Sequence, residues 1–167
     1  MHHYLSPHTQ LPTHTVSNQA KPMRTLPLWA ADPALNEAIK RWGEPSESLI
    51  RSFSERVGSE EVVDWGWRAN LSKPRLITHD RFGQRVDAVD FHPAYHQLMD
   101  LGISAGISSV AWSHLNPERE PEVNPCGHLT HAAMLYLLSQ VEPGVCCPLS
   151  MTYAAIPVLA QAPDLHA

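Results

Sequence analysis

Residues 127–160, GHLTHAAMLYLLSQVEPGVCCPLSMTYAAIPVLA, decide the fold class because they predict two strongly apolar helices. The first runs from Gly127 to a turn at 142–144, and its apolar density predicts the most buried helix of the protein. The second begins at Pro148 and is apolar on nearly every side, with a kink at Pro157, which has no amide proton to donate. Such a helix needs protein all around it, yet only seven residues follow it in this sequence. We therefore expect its cover to come from outside these residues.

Four signals within residues 32–43 predict another helix. Asp32 is a good N-cap residue, and Pro33 suits the first helical position, where no amide proton is needed. Gly43 is expected to close the helix in the left-handed conformation that glycine tolerates. The fourth signal is a shared apolar face, made of Leu35, Ala38, Ile39 and Trp42.

Three further helices are indicated between residues 46 and 106. Ser46 is placed to cap a helix that stops at Gly58, and Ser59 opens the next one with two glutamates at the favourable end of its dipole. Pro93 begins a fourth helix, and Gly102 predicts a break in it. An apolar stripe along the second helix is formed by Leu49, Ile50, Phe53 and Val57, and the expected core contacts of the fourth helix are Tyr95, Leu98, Met99 and Leu101.

The hydrophobic period changes after Pro74 and predicts a hairpin. Residues 75–79 and 84–89 read as two strands joined by a turn at 80–83. Because an isolated two-stranded ribbon is marginally stable, we expect it to pack on the helices.

The elements together predict a mainly α fold, a helical bundle of about six helices with a small β-hairpin. Residues 1–28 contain four prolines and no hydrophobic period, which predicts an extended N-terminal arm. The helical domain is accordingly expected to span residues 29–167.

The composition disfavours several classes of function. With 12 basic and 17 acidic residues the formal net charge is −5, so the chain lacks the positive field that duplex nucleic acid or an anionic membrane requires. The longest apolar stretch, 151–162, is shorter than the ~20 residues of a membrane span. Residues 1–20 lack the apolar core of a signal peptide. Three cysteines, two of them adjacent, fit a reducing cytoplasm better than a disulfide framework.

Two histidine pairs have helical spacing. His92 and His96 are four residues apart, and His128 and His131 are three apart, with Cys126 two residues before the second pair. Imidazoles one turn apart can bind a tetrahedral zinc ion, and a cysteine can supply a soft ligand. However, the chain has neither Cys-x-x-Cys nor His-Glu-x-x-His, and His92 precedes a proline, which is typical of a helix boundary. We therefore predict no metal site.

No catalytic residue is predicted from the side chains alone. Cys126 and His128 are the closest cysteine–histidine pair, but residues two apart at a helix start point away from each other. Neither Gly-x-Gly-x-x-Gly nor Gly-x-x-x-x-Gly-Lys-[Ser/Thr] is present to bind phosphate. The five tryptophans are predicted to be packing anchors: Trp29, Trp42, Trp65, Trp67 and Trp112.

Four stretches of the sequence together resemble one known family. They are THTVSNQ at 13–19, FHPAYH at 91–96, Ala111-Trp112, and CPLSMTYAA at 147–155. In this order, and over about residues 13–165, the chain is similar to the N-terminal region of AidB-type proteins, the adaptive-response branch of the acyl-CoA dehydrogenase family. The first and last stretches are long and unusual, which makes the resemblance specific.

The resemblance implies a FAD-dependent flavoprotein of three parts, which oxidises an acyl thioester. These parts are an N-terminal helical domain, a middle β-domain with much of the FAD site, and a C-terminal helical domain that carries the catalytic carboxylate and the DNA-binding activity. This chain resembles the first part only, truncated before the FAD-binding middle domain, and it has no counterpart of the flavin-contacting run Met-Thr-Glu-Lys-x-Gly-Gly-Ser. We expect neither FAD nor catalysis for these residues alone. The expected partners are the remaining domains or neighbouring subunits of a homo-oligomer.

One functional element carries over by resemblance. In related dehydrogenases the helix equivalent to residues 148–160 lines the inner end of the acyl cavity, so Met151, Thr152 and Ala155 are candidates for lining that cavity. Ordinary core packing is an equally weighted alternative for the three. A second hypothesis for the whole chain is a stand-alone helical interaction module that docks on a partner through the apolar face of its last helix.

Overall fold

The computed structural model describes residues 20–43, 46–115 and 125–162, and these form a helical bundle with one hairpin. The first half of the chain contributes helices α1 (Pro33–Trp42), α2 (Glu47–Val57) and α3 (Glu60–Leu71) and strands β1 (Arg75–His79) and β2 (Arg85–Asp90). The second half contributes helix α4 (Pro93–Ser104), a 3₁₀ helix (Val110–Leu115), and helices α5 (Gly127–Ser139) and α6 (Cys146–Leu159). The mainly α fold predicted from the sequence is confirmed. None of the helices in the described ranges has the length and apolar character that crossing a bilayer requires.

Helix α5 is the centre of the bundle, as its apolar sequence predicts. It packs against α2 and the 3₁₀ helix, while α3 packs against α4. Met134, Leu137 and Leu138 of α5 are fully buried, and each such side chain contributes roughly 1.5–3 kcal/mol by leaving water. Their buried neighbours from other elements include Ile50, Val57, Val62, Leu98, Ile107 and Leu149.

Helix α1 begins as predicted and ends differently. The Oδ1 atom of Asp32 accepts a hydrogen bond from the backbone N–H of Leu35 at 2.8 Å, and a proline follows at the first helical position. The left-handed conformation expected of Gly43 is wrong, because its φ is −132°. Glycine leaves space there for Leu129, whose Cδ2 would lie 2.5 Å from a Cβ and would have to shift to accommodate it.

The serine caps of α2 and α3 differ from each other. Ser59 caps α3 as predicted, and its hydroxyl accepts from the backbone N–H of Val62. Ser46 precedes α2 at the expected position, but its buried side chain makes no capping bond. Its hydroxyl instead accepts a hydrogen bond from Thr130 of α5 at 2.7 Å, which ties the start of α2 to the central helix.

Helix α4 ends at Ser104, two residues after Gly102, near which the sequence predicts a break. Gly102 is buried, and a Cβ at this position would lie 2.6 Å from Cδ1 of Leu149 in α6. The glycine therefore permits a close approach of two helices rather than a change of direction. A sequence pattern does not distinguish these two uses of glycine.

The hairpin forms where the sequence predicts it, but it does not pack on the helices as expected. Every strand residue except Ile77 is exposed. Contacts within the ribbon hold it instead: the Asp80 carboxylate accepts from the backbone N–H groups of Phe82 and Gln84 in the turn. An Arg75–Asp90 ion pair at 3.2 Å joins the strands at the other end.

The predicted N-terminal arm lies mostly outside the described residues, which begin at residue 20. In the part that is described, Leu28 is buried in the core and the backbone N–H of Leu26 donates to the carbonyl oxygen of Gly58 at 2.8 Å. The end of this segment thus lies on the turn between α2 and α3.

We predict that Gly66→Ala destabilises the protein, although alanine normally stabilises a helix interior by about 1 kcal/mol relative to glycine. A Cβ at residue 66 would lie 2.6 Å from the carbonyl oxygen of Val141. Because that atom is backbone, we expect the free energy of unfolding in urea to fall by about 1–3 kcal/mol. The exposed replacement Ser52→Ala in α2 should change it by less than about 0.5 kcal/mol. An unchanged or raised stability of Gly66→Ala would contradict the close approach of α3 to residue 141.

We also predict an acid-dependent contribution from Asp32. The backbone N–H of Leu35 and then the hydroxyl of Tyr136 donate to its carboxylate and lower the pKa of Asp32 below its ordinary value of 3.8. A carboxyl group with a lowered folded pKa adds stability that is present above its unfolded pKa and is lost as pH falls through the folded pKa. Urea unfolding at a series of pH values should therefore show that Asp32→Asn loses less stability than the wild type on acidification from about pH 5 to pH 2. Tyr136→Phe should show an intermediate loss, whereas three parallel pH curves would rule this contribution out.

Candidate functional site

Helix α6 has two faces that differ in exposure. Its inner side consists of residues that are buried or half-buried, including Leu149 and Tyr153. The opposite side is exposed, and five of its residues, which we call the outer face, are Met151, Thr152, Ala155, Val158 and Leu159. Met151 and Val158 are 68% and 67% exposed, so this side of the helix presents two large apolar side chains at the surface.

The three residues predicted from the resemblance to line an acyl cavity therefore lie together on the outer face. They do not pack in the core of the described residues, which was the alternative explanation for their apolar pattern. The Thr152 hydroxyl donates to the carbonyl oxygen of Pro148 at 3.0 Å, so its methyl group and the Met151 and Ala155 side chains dominate the surface. Helix α6 begins at Cys146, two residues earlier than predicted.

A stacked pair of rings holds the inner side of α6 against α5. The ring of Tyr153 lies parallel to that of His131, with 3.8 Å between centroids and 7° between planes. His131 is itself buried, and its Nδ1 lies 2.7 Å from the carbonyl oxygen of Ile107. Because a carbonyl only accepts, Nδ1 carries the proton and donates it. The imidazole thus links α6, α5 and the segment before the 3₁₀ helix.

Three more side chains complete this attachment. The Nε1–H of Trp112 donates to the carbonyl oxygen of Tyr153 at 3.0 Å. The hydroxyl of Ser108 donates to the carbonyl oxygen of Leu149 at 2.9 Å. The Tyr153 hydroxyl lies 2.7 Å from Nδ1 of His128. We call the contacts of His131, His128 and Trp112 with Tyr153 the Tyr153 anchor. It fixes which side of α6 points outward.

The turn before α6 is held by a buried carboxylate. Glu142 accepts hydrogen bonds from the backbone N–H groups of Gly144 and Val145 at 2.9 and 2.8 Å, which satisfies two amides of the turn directly before the helix. Burial, with a smaller contribution from the charge of Glu142, raises the pKa of Cys146 to about 11. The Cys146 thiol is therefore protonated at neutral pH, which disfavours it as a nucleophile.

Sequence and structure comparisons show which known proteins this chain is similar to. The family model described as the adaptive response protein AidB N-terminal domain matches residues 18–167. The chain belongs to the AidB N-terminal domain family. It is 37% identical over 150 residues to the putative acyl-CoA dehydrogenase AidB of Escherichia coli K12, which covers 89% of this chain and 26% of that protein.

Two matches from Caenorhabditis elegans, one to a sequence and one to a solved structure, extend this similarity. Acyl-CoA dehydrogenase family member 11 is 31% identical over 134 residues, covering 77% of this chain and 20% of that protein. The crystal structure of ACDH-11 in complex with C11-CoA has the same fold, with a TM-score of 0.70 at 24% identity, over 93% of this chain and 26% of that chain. The AidB N-terminal domain described here thus spans about a fifth to a quarter of the length of these relatives.

The histidine pairs of this AidB N-terminal domain are used within the fold. His92 caps α4, where its Nδ1 accepts from the backbone N–H of Ala94 at 3.1 Å. His128 and His131 both contact Tyr153 of α6. Within residues 20–43, 46–115 and 125–162, no group of three or more His, Cys, Asp or Glu side chains is arranged to hold a metal ion.

Sequence reasoning overlooked two features of this region. Residues 102–106, GISAG, have the spacing of the Gly-x-Ser-x-Gly nucleophile motif, but Ser104 ends a helix, whereas that motif requires a strand-to-helix turn. The 3₁₀ helix that presents Trp112 was not predicted either.

The prediction that all five tryptophans are packing anchors fits Trp29, Trp65 and Trp112, which are half-buried. It is wrong for Trp42 and Trp67, which are 61% and 62% exposed.

We predict that His131→Phe destabilises the protein by about 1–3 kcal/mol, because it leaves the buried Ile107 carbonyl without its side-chain donor. The phenyl ring retains the stack on Tyr153, so the loss reports the hydrogen bond rather than the packing. His79→Phe is the control, since His79 is exposed in β1, away from the Tyr153 anchor, and its replacement should cost less than about 0.5 kcal/mol in urea unfolding. Equal effects of the two replacements would contradict the assigned role of His131.

Proposed function

We propose that this chain is the N-terminal part of a complete FAD-dependent flavoenzyme that oxidises acyl thioesters between the α- and β-carbons. We further propose that the outer face of α6 forms one wall of its acyl cavity. Membership of the AidB N-terminal domain family supports the first statement. The observation that supports the second is the exposed apolar stripe of Met151, Thr152 and Ala155. An acyl chain needs such an apolar, shape-defining surface.

The chemistry of the outer face fits a hydrocarbon chain better than it fits a flavin. Its side chains are apolar except for that of Thr152, whose hydroxyl already donates within α6. A flavin ring instead requires hydrogen-bond donors and acceptors directed at its polar edge. The outer face provides none from its own side chains, so FAD would be held by residues beyond those that build α6. We accordingly propose that this chain alone neither retains FAD nor catalyses the reaction.

The partners follow from the same proposal. The remaining domains of the polypeptide, or neighbouring subunits of a homo-oligomer, would cover the outer face and close the cavity, with residues 1–28 as an arm and 29–167 as the helical domain. ACDH-11 has been solved with C11-CoA, and a medium-length acyl thioester is therefore the class of ligand to test first.

We place the protein in the cytoplasm, where its three free thiols would stay reduced. We also propose a role in an adaptive response, the process that the description of its family names.

A helical interaction module remains a second candidate function. The same exposed stripe would accept an apolar helix of a partner protein, as amphipathic grooves and faces do in other complexes. The two candidates differ in what the complete protein contains, because only the first requires a flavin.

We predict that Met151→Trp in the full-length gene product shortens the range of acyl chains that it binds. The larger side chain would fill the end of the cavity, so the Kd for the longest bound acyl-CoA should rise about tenfold or more, while that for short chains should change less than about threefold. Leu49→Trp, at an exposed apolar position of α2, is the control and should leave the chain-length profile unchanged. A profile that Met151→Trp leaves intact would contradict the cavity role of the outer face.

The presence of flavin separates the two candidate functions. We expect the full-length gene product to be purified with the visible absorbance of bound flavin, and the 167-residue chain to be colourless. Flavin held tightly by the short chain would contradict its proposed incompleteness. A flavin-free full-length protein that assembles with an unrelated partner would favour the interaction module.

A further inference from the structure

One carbonyl in the middle of α6 lacks its regular helical donor. In an α-helix the N–H of residue 157 donates to the carbonyl oxygen of residue 153, but Pro157 has no N–H. The helix nevertheless continues to Leu159. A half-buried carbonyl left without any donor is strongly unfavourable, so another group must satisfy it.

The indole of Trp112 supplies the missing donor. Its Nε1–H lies 3.0 Å from the carbonyl oxygen of Tyr153, the same oxygen that Pro157 leaves without a helical hydrogen bond. The donor comes from 41 residues earlier in the sequence, so this bond connects the 3₁₀ helix to α6. The indole ring also lies against the Tyr153 ring, with 5.2 Å between centroids.

A second hydrogen bond one turn earlier turns this contact into a two-point attachment. Ser108 donates to the carbonyl oxygen of Leu149, four residues before Tyr153 on the same side of α6. Two points on one side of a helix fix both its rotation about its axis and the direction of the segment that follows. Pro157, where a helix bends easily, lies in the turn directly after Tyr153, the later of the two attachment points.

We propose that Trp112 is a positioning residue for the acyl cavity. By standing in for the amide that Pro157 lacks, its indole N–H sets the rotation and the bend of α6 and thereby the shape of the surface formed by Met151, Thr152 and Ala155. This rests on the proposed function of that surface. Trp112 itself touches neither substrate nor cofactor in this scheme, and it acts through the backbone of Tyr153.

The substitution Pro157→Ala provides a sharp test, because it restores the backbone N–H that would donate to Tyr153. In the full-length gene product with Pro157, we expect Trp112→Phe to speed hydrogen exchange of the α6 amides about tenfold, the effect of one lost hydrogen bond. In the Pro157→Ala background the same replacement should speed exchange less than about threefold, because the carbonyl keeps a donor. Trp65→Phe, at another half-buried tryptophan, should have the same effect in both backgrounds.

The functional measurement uses the same variants and the affinities for acyl-CoA of different chain lengths. Trp112→Phe should change the ratio of Kd values between long and short chains about threefold or more, and adding Pro157→Ala should return that ratio towards the wild-type value. A purely structural role would lower the amount of folded protein without changing this ratio.

The outcomes separate the failure of this proposal from the failure of the proposed function. If Trp112→Phe speeds hydrogen exchange equally in the two backgrounds, the indole N–H does not replace the backbone N–H that Pro157 lacks. This result does not depend on the ligand. A clear difference in exchange, together with an unchanged ratio in Trp112→Phe and a changed ratio in Met151→Trp, overturns the positioning role but keeps the cavity. An unchanged ratio in Met151→Trp overturns the cavity role of the outer face, and with it the positioning proposal.

Discussion

The hydrogen bonds and ring stack around Tyr153 determine how the last helix is presented. His131 stacks on its ring from α5, and Trp112 binds its carbonyl from the 3₁₀ helix, so one residue receives contacts from two separate elements. Because these contacts hold one side of α6, the opposite side must face outward. The exposure of Met151 is thus a consequence of what the inner side binds, and the candidate site exists only because the anchor does.

The rest of the bundle supports that attachment through the central helix. Helix α5 carries His131 and is surrounded by the largest buried side chains of the core. Glycines allow the supporting helices to approach closely: Gly102 lies against Leu149 of α6, and Gly66 lies against the backbone of Val141 at the end of α5. The position of α6 therefore depends on packing throughout the domain as well as on its own sequence. An apolar face held rigidly in this way is suited to define the shape of a cavity.

Local signals in the sequence predicted most of the elements, because they act within a few residues. Asp32 before Pro33 and Ser59 before two glutamates mark helix starts that the structure contains. The conformation of Gly43 was misread and the close approach at Gly102 was not foreseen, since the role of each glycine depends on a side chain of another helix. The exposure of the hairpin was missed for the same reason. Whether a ribbon packs on helices is decided by tertiary contacts that no local pattern contains.

The candidate site was predictable only in part. The spacing of residues 151, 152 and 155 indicates a shared helical face, and the resemblance indicated its use, but neither distinguished a cavity wall from ordinary core packing. The Trp112–Tyr153 hydrogen bond spans 41 residues and was not foreseen, although Pro157 signals that one carbonyl of the helix needs an outside donor.

Photocrosslinking is the most direct measurement of the central claim, that the outer face of α6 meets an acyl chain. An acyl-CoA with a photoreactive group at the end of its chain would be bound to the full-length gene product, irradiated, and the labelled peptides mapped. The account predicts label within Cys146–Leu159, concentrated at Met151, Thr152 and Ala155. Saturable labelling confined to peptides outside this helix would contradict it.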